Sequence, residues 1–215
     1  MHSDQVLQKS VLEALAWEPS VPATHIGVTV QGGVVTLAGH VESFAQKHAA
    51  EAAARAVKGV KAVIEEIQVQ LSAGQSRGDP QIALAAANSL EWDVSVPSDR
   101  VSVMIDKGWI TLTGQVDWHF QKVAAEQDVR RLAGVVAVDN QITIKPLVDT
   151  GVLSDSIMHA LHRSWFFDPT IKISAEGGAV RLTGTVHSSH DRRAAAATAW
   201  SAPGTTTVEN DILLA

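Results

Sequence analysis

Apolar residues recur along this chain in two periods that alternate with each other. Three stripes of apolar residues spaced four apart stand near the start, in the middle and in the last third of the chain: Leu7, Val11, Leu15; Ile82, Ala86, Leu90; Leu153, Ile157, Leu161. This spacing places the residues of each stripe on one face of a helix. The sequence therefore predicts three amphipathic helices of one kind.

Each predicted helix is followed by two runs in which apolar and polar residues alternate. The first runs carry Ile26, Val28, Val30; Val101, Val103, Ile105; Ile171, Ile173, Ala175. The second runs carry Val35, Leu37, Val41; Ile110, Leu112, Val116; Val180, Leu182, Val186. Strict alternation is typical of a strand with one buried face, and a glycine turn separates the two runs. Each pair of runs predicts a β-hairpin.

A second helix and a third strand complete each unit. The helix stripes are rich in small residues: Ala50, Ala54, Val57; Ala125, Val129, Leu132; Ala195, Ala199, Ala202. The closing strands carry Val63, Ile67, Val69; Val138, Ile142, Ile144; Val208, Ile212, Leu214. The prediction is an α+β fold of three tandem α-β-β-α-β units, each a small three-stranded mixed sheet with two helices on one face. We place the domains at 1–72, 73–146 and 147–215.

Three glycines recur in each unit, and we interpret them as architectural. They are the turn glycines Gly33, Gly108 and Gly178, the strand glycines Gly39, Gly114 and Gly184, and the last glycines Gly59, Gly134 and Gly204. The strand glycines share the apolar face, so we expect them to let the alanine-lined helix approach the sheet, or to form a bulge. The last glycines suit the position just after a helix.

Several strings in the second unit resemble the BON family, named for the bacterial osmotically inducible protein Y and nodulation. They are the V-x-L-x-G-x-V strand, D-W-H-F-Q-K from Asp117 to Lys122, and G-V-x-x-V-x-N-x-I-x-I from Gly134 to Ile144. The resemblance implies three non-catalytic, transport-associated modules that contact phospholipid or membrane surfaces in envelope and osmotic-stress proteins. The third unit departs from the pattern with HSSHDRR (187–193) and with Pro203.

Charge and composition exclude some classes of protein. The formal net charge is −6, and the thirds 1–72, 73–146 and 147–215 each carry −2 (5 basic against 7 acidic residues, 7 against 9, and 5 against 7). No basic stripe is present, which argues against nucleic-acid binding. Cysteine is absent, so thiolate metal sites and disulfides are excluded. The first twenty residues lack the pattern of a signal peptide, and we therefore expect a cytoplasmic protein.

No enzyme constellation is present, and we predict neither catalysis nor a cofactor. The residues common to all three units are apolar or glycine, so the repeat preserves a core and not a set of titratable groups. One weak metal candidate stands on the third unit's first helix, where Asp155, His159 and His162 are spaced by about one turn. A solvated helix face is the alternative interpretation of these three residues.

Aromatic residues suggest the better candidate for a binding site. Trp118 and Phe120 stand between the second strand and the second helix of the middle unit, followed by Lys122. They either cover the core and staple the helix start, or form an interfacial patch in which the rings enter the headgroup region while Lys122 meets a phosphate. The corresponding candidates are Phe44 and Lys47 in the first unit and Arg192 and Arg193 in the third. A further cluster, Trp165, Phe166 and Phe167, suggests packing between units.

Together these features predict a non-enzymatic binding or scaffolding protein in a stress or envelope setting, with phospholipid or membrane surfaces as partner. Two alternatives stay open. One is a small-solute or cation binder with its site between units. The other is a self-assembling structural protein, because uncovered sheet faces and edge strands favour a homo-oligomer.

Overall fold

The computed structural model describes residues 2–72, 74, 76–146, 150–163 and 170–214. Three repeats follow the predicted order of helix, strand, strand, helix and strand, which confirms the predicted fold class. The helices are α1 (His2–Ala16), α2 (Phe44–Ala56), α3 (Asp79–Trp92), α4 (His119–Arg130), α5 (Thr150–His162) and α6 (Ser189–Trp200). The strands are β1 (Ile26–Gln31), β2 (Val34–Val41), β3 (Ala62–Val69), β4 (Val101–Asp106), β5 (Trp109–Val116), β6 (Ala137–Asn140), β7 (Thr143–Ile144), β8 (Lys172–Glu176), β9 (Ala179–Val186) and β10 (Thr207–Leu214).

Each repeat has a mixed sheet with its second strand in the middle. In repeat 1 the order is β1-β2-β3, with β1 antiparallel and β3 parallel to β2. Repeat 3 has the same arrangement of β8, β9 and β10. In repeat 2 the order is β4-β5-β6, and β7 also lies parallel to β5. The third strand of repeat 2 is therefore in two pieces, and at the break the Asn140 side-chain oxygen accepts a hydrogen bond from the Ile142 amide (3.2 Å).

Two compact units make up the chain. The first contains Met1–Ala86, Ile105–Ile110 and Val129–Val138, and the second contains Ala87–Met104, Thr111–Asp128 and Asp139–Ala215. Repeat 1 belongs to the first unit and repeat 3 to the second, whereas repeat 2 is divided between them. This division into two units does not test the three predicted domain boundaries, which therefore remain a prediction. Leu147 and Val148, at the predicted boundary between the second and third domains, lie outside the described residues.

The predicted helix and strand stripes form the cores of repeats 1 and 3. In repeat 1 the stripe of α1 is buried in one cluster with residues of β1 and β2, and Ala50 and Ala54 of α2 pack into the same cluster. Repeat 3 buries the equivalent residues of α5, α6 and its sheet. One predicted core residue is wrong: Leu214 is 55% exposed. It opposes Val186 in the last described pair of the sheet, although the equivalent Ile144 of repeat 2 is buried.

The strand glycines have a different role from the predicted one. Gly39 opposes Ile26 at the end of the hairpin with φ +144°, and a Cβ there would overlap the carbonyl oxygen of His25. The same approach recurs between Gly114 and Arg100 and between Gly184 and Thr170. The close neighbour is therefore the backbone that enters the first strand, and not the alanine-lined helix as predicted. Only glycine combines this φ with the missing side chain.

The last glycines are also placed differently from the prediction. Because α2 ends at Ala56, α4 at Arg130 and α6 at Trp200, the glycines at 59, 134 and 204 lie three or four residues beyond a helix. Their φ values of +99°, +93° and +75° place them in the turn that leads to the third strand. They are turn residues of the connection and do not directly follow the helix.

A carboxylate in the first turn of the first helix holds the hairpin turn in repeats 1 and 2. Asp4 accepts hydrogen bonds from the amides of Gly32 (2.9 Å) and Gly33 (3.3 Å). Asp79 accepts equivalent bonds from Lys107 (2.8 Å) and Gly108 (2.9 Å). All four turn residues have positive φ, as in the type I′ turn of a two-residue hairpin loop. Each aspartate therefore ties its helix to its hairpin, a role that sequence analysis missed.

Replacing the strand glycine of repeat 1 tests the importance of the close backbone approach. Gly39→Ala is expected to lower the free energy of unfolding of repeat 1 by about 3 kcal/mol, because a Cβ creates both backbone strain and overlap with His25. Gly27→Ala is the matched control, since its Cβ would lie an ordinary 3.6 Å from the Ala38 oxygen. Hydrogen exchange of the β1 and β2 amides measures both variants. Equal protection in the two variants would contradict this assignment.

Candidate functional site

The start of α4 departs from the way in which the other repeats begin their second helix. In repeats 1 and 3 a serine side chain caps the helix: Ser43 accepts from the Gln46 amide (3.3 Å) and Ser188 from the Asp191 amide (3.1 Å). The equivalent residue of repeat 2 is Trp118, whose indole accepts no such bond. Repeat 2 therefore has an aromatic ring at the position where the other two repeats have a capping side chain.

Gln121 fixes the chain just before the helix, as Gln46 does in repeat 1. Its side-chain oxygen accepts hydrogen bonds from the amides of Asp117 (3.1 Å) and Trp118 (3.0 Å). This is the reverse half of a capping box, in which a residue in the first turn reaches back to the chain before the helix. The backbone that carries Trp118 is therefore held in place from within its own helix.

An aromatic cluster, defined here as Trp118, His119, Phe120 and Trp200, surrounds this helix start. The rings of Trp118 and Phe120 lie 6.2 Å apart at 44°, and Phe120 is 54% exposed. His119 stacks on Trp200 with ring centres 4.0 Å apart and planes at 26°. Phe120, which was predicted to staple the start of the helix, is therefore not fully buried, and Trp118 is half-buried. Both predicted aromatic residues belong to one continuous cluster.

Trp200 joins repeat 3 to this cluster, and sequence analysis missed it. It ends α6, where the other repeats have Arg55 and Arg130. Close by in the chain, the Gly204 amide donates to the Asp117 carbonyl (3.3 Å), so backbone and ring contacts both connect repeats 2 and 3 within the second unit. The signal that could have found Trp200 is the replacement of a charged residue by an aromatic one at an equivalent position.

The stacked position of His119 changes its protonation. Burial lowers the pKa of the His119 imidazole below its ordinary value, and the positive charge of Lys122 lowers it further. The neutral ring is therefore favoured around neutral pH. Stability contributed by the neutral ring is present above the unfolded-state pKa and is lost as the pH falls toward the lower folded-state pKa.

The predicted cationic side chains differ in the ion pairs and hydrogen bonds that they form within the protein. Lys47 pairs with Glu65 (2.8 Å) and donates to the Ile67 carbonyl (2.9 Å). Lys122 forms no ion pair with any residue in the described part of the chain, since Asn140 stands where repeat 1 has Glu65. In repeat 3, Arg192 donates to the Asn210 carbonyl (2.9 Å), and Arg193 is exposed. Phe44, the first residue of α2, is half-buried.

Two grooves flank the stacked pair of His119 and Trp200. The larger, of about 600 Å³, runs between α4 and α6 and is lined by Trp118, Phe120, Val123, Gln127 and Ala197, besides the stacked pair. The smaller, of about 390 Å³, lies beside Lys122, Ile142 and Thr206. The stacked pair contributes to both grooves, and no acidic residue lines either of them. The arrangement combines an apolar trough with one nearby cation.

The remaining candidates of the sequence analysis gain no support. Within the described residues no three His, Asp or Glu side chains are grouped closely enough to hold a metal ion, and this covers Asp155, His159 and His162. Trp165, Phe166 and Phe167 lie outside the described residues. Among the helices described, none is both long and apolar enough to cross a bilayer.

Two further tryptophans, which sequence analysis did not single out, are almost fully exposed. Trp17 and Trp92 stand at equivalent places after the buried stripe of the first helix and are 86% and 85% exposed. The loop after Trp92 is ordered, because the Asp93 side chain accepts from the Ser95 amide (2.7 Å). Hydrogen bonds from the backbone amide and the side chain of Ser95 lower the pKa of the Asp93 carboxyl below its ordinary value. Each exposed indole is therefore followed by an acidic residue, unlike the cluster at α4.

The fold defines a class of tandem α-β-β-α-β modules, and in this chain one module begins its second helix with an aromatic cluster. The family model described as BON domain matches residues 3–70, 78–146 and 149–215. The chain belongs to the BON domain family, as its sequence motifs indicated. It is 32% identical over 146 residues to osmotically-inducible protein Y of Escherichia coli (strain K12), an alignment that covers 66% of this chain and 73% of that protein.

Solved structures give only a distant likeness. One is CdsD, a structural protein of the type III secretion system of Chlamydia trachomatis, with 16% identity, a TM-score of 0.28, and coverage of 98% of this chain and 92% of that chain. Another is the C-terminal domain of the same protein, with 16% identity, a TM-score of 0.28, and coverage of 97% of each chain.

The cause of the His119 shift leads to a test by NMR titration. Trp200→Ala is expected to raise the His119 pKa toward the ordinary histidine value, because it removes the ring that buries the imidazole. Lys122→Gln is expected to raise it less, since the nearby charge is the smaller cause. The His119 ring signals are identified by their loss in His119→Gln. A larger rise in Lys122→Gln than in Trp200→Ala would reverse the assigned order of causes.

Proposed function

We propose that this chain is a binding protein that contacts phospholipid surfaces through repeat 2. The observation that carries the proposal is the exposed Phe120 ring beside the half-buried Trp118, with Lys122 on the same first turns of α4 and without an ion pair among the described residues. Aromatic rings favour the headgroup region, where an apolar body and a polar edge are both accommodated. A lysine near an anionic surface adds about 1 kcal/mol of attraction.

The charges of the other repeats support repeat 2 as the point of contact. Lys47 is already paired with Glu65, so it is not available to meet a phosphate without losing that pair. Arg193 is exposed at the start of α6 and provides a second cation in the same unit as Lys122. With a net charge of −6, the rest of the chain repels an anionic surface, so binding depends on these local groups.

We assign a role in binding rather than in catalysis. The residues common to the repeats are apolar side chains and glycines, which build cores and turns but offer no proton donor or nucleophile. The relationship to osmotically-inducible protein Y supports a role in the response to osmotic stress. The proposal concerns a surface and holds on either side of a membrane.

Vesicle co-sedimentation tests the lipid contact. We expect the chain to sediment with anionic vesicles more than with neutral ones, and less as salt is raised. Lys122→Gln is expected to weaken anionic binding about fivefold and to leave neutral vesicles unaffected, because it removes one cation. Phe120→Ala is expected to weaken binding to both by about fivefold to tenfold, since it removes apolar area.

A matched control uses an exposed tryptophan outside the cluster. Trp92→Ala removes a ring that is more exposed than Phe120 but is followed by Asp93 instead of a nearby lysine. We expect its binding to equal that of the unmodified chain. Binding that survives Phe120→Ala and Lys122→Gln but is lost in Trp92→Ala would place the contact elsewhere and overturn this proposal.

The groove between α4 and α6 favours a second candidate, the binding of a small ligand. Its volume of about 600 Å³ falls in the range of small-molecule sites, and its lining is mainly apolar. In this case the chain would bind its ligand in the absence of vesicles.

A further inference from the structure

We propose that the two grooves beside the stacked pair of His119 and Trp200 bind one free anionic single-chain amphiphile, its apolar chain between α4 and α6 and its headgroup at Lys122. The inference rests on the second candidate function, the binding of a small ligand in the groove between α4 and α6, and narrows the class of that ligand. It concerns monomers in solution, taken one at a time, and not lipid that stays in a bilayer.

The apolar character of the larger groove is specific to this pair of repeats. Three of its lining positions hold apolar or aromatic residues where the equivalent positions of other repeats hold polar or charged ones. The replacements are Trp118 for Ser43 and Ser188, Val123 for His48 and Arg193, and Trp200 for Arg55 and Arg130. Val123 and Trp200 contribute little to a core, because the buried stripes of their helices are formed by alanine and valine residues. The replacements therefore act on the groove.

The charge around the grooves selects an anion. Lys122 is the one fully charged residue among those lining the two grooves, and it has no ion pair within the described residues. The other polar residues that line the grooves, such as Gln127 and Thr206, are neutral, and the Glu126 carboxylate one turn along α4 accepts a hydrogen bond from Asn140 (3.1 Å) outside the lining. In a chain of net charge −6, a site that lacks acidic residues and holds a lysine is complementary to a carboxylate or a similar headgroup.

Lys122 lies where it would meet one end of a ligand's apolar chain and not the middle of that chain. Lys122 lines only the smaller groove, whereas Phe120, Val123 and Ala197 line only the larger one. His119 and Trp200 line both, so a ligand that lies across the stacked rings keeps its chain on apolar surface until it reaches the lysine. A molecule with one charged end and one apolar chain meets both conditions.

The experiment titrates the full chain with decanoate below its micelle concentration, without vesicles, and observes the tryptophan indole N–H signals by NMR. We expect the Trp118 and Trp200 signals to shift and saturate together, while those of the exposed Trp17 and Trp92 stay in place. Acetate, which has the headgroup without the chain, is expected to leave all four in place. Decyltrimethylammonium is expected to bind at least tenfold more weakly than decanoate.

Two variants assign the two ends of the ligand. Val123→Arg introduces the residue that α6 has at the equivalent position, Arg193, so the helix is expected to fold while the groove is filled. We expect it to weaken decanoate binding at least tenfold. Lys122→Gln is expected to weaken decanoate about fivefold and to leave octanol, a neutral amphiphile, unchanged. Circular dichroism confirms that both variants stay folded.

Several results would overturn the inference: unmoved Trp118 and Trp200 signals, equal affinity for decanoate and decyltrimethylammonium, or undiminished decanoate binding by Val123→Arg. The test is independent of the vesicle experiment. Vesicle binding without decanoate binding would refute this inference and leave the surface contact standing. Decanoate binding without vesicle binding would refute the surface contact and leave this inference standing.

Discussion

The register of each hairpin is the constraint on which the rest of this protein depends. A shift by one residue would turn every core side chain of a strand to the solvent. At one end the two-residue turn fixes the pairing, and in repeats 1 and 2 an aspartate holds that turn to the first helix. At the other end the strand glycine lets the entering backbone approach closely. Between these two points, Val35 and Leu37 of repeat 1 have only one face to occupy.

Because the cores use the same few positions in all repeats, differences between repeats collect at the helix ends. Burial leaves little freedom at the alanine stripes, where a larger side chain would separate helix from sheet. The first residues of α4 and the last residue of α6 carry no such restriction. Aromatic residues at these positions cost repeat 2 a capping serine and give repeats 2 and 3 a stacked contact between His119 and Trp200. The shared scaffold thus permits a surface that only one pair of repeats has.

Periodicity was sufficient to predict the order of elements and nearly all of the core, because both depend on local alternation. It misjudged Leu214, because the same pattern gives a buried residue at the equivalent Ile144 of repeat 2. Periodicity also did not predict why residue 39 must be glycine, because the carbonyl of His25 comes close to that residue only when the two strands pair. Two residues of the aromatic cluster, Trp118 and Phe120, were predicted because they are close in sequence. The contact of His119 with Trp200 was not predicted, because it joins two repeats. Comparison of equivalent positions would have indicated Trp200.

Net charge and local charge have different effects on the proposed site. At physiological ionic strength the screening length is about 8 Å, so the acidic residues of distant repeats act weakly at Lys122. They slow the approach of an anion but do not cancel contact with a lysine that lacks an acidic partner. Repeat 1 shows the contrast, since Glu65 neutralises Lys47 there, whereas Asn140 in repeat 2 does not neutralise Lys122. One difference on the third strand therefore separates a lysine held in an ion pair from one that has no ion pair among the described residues.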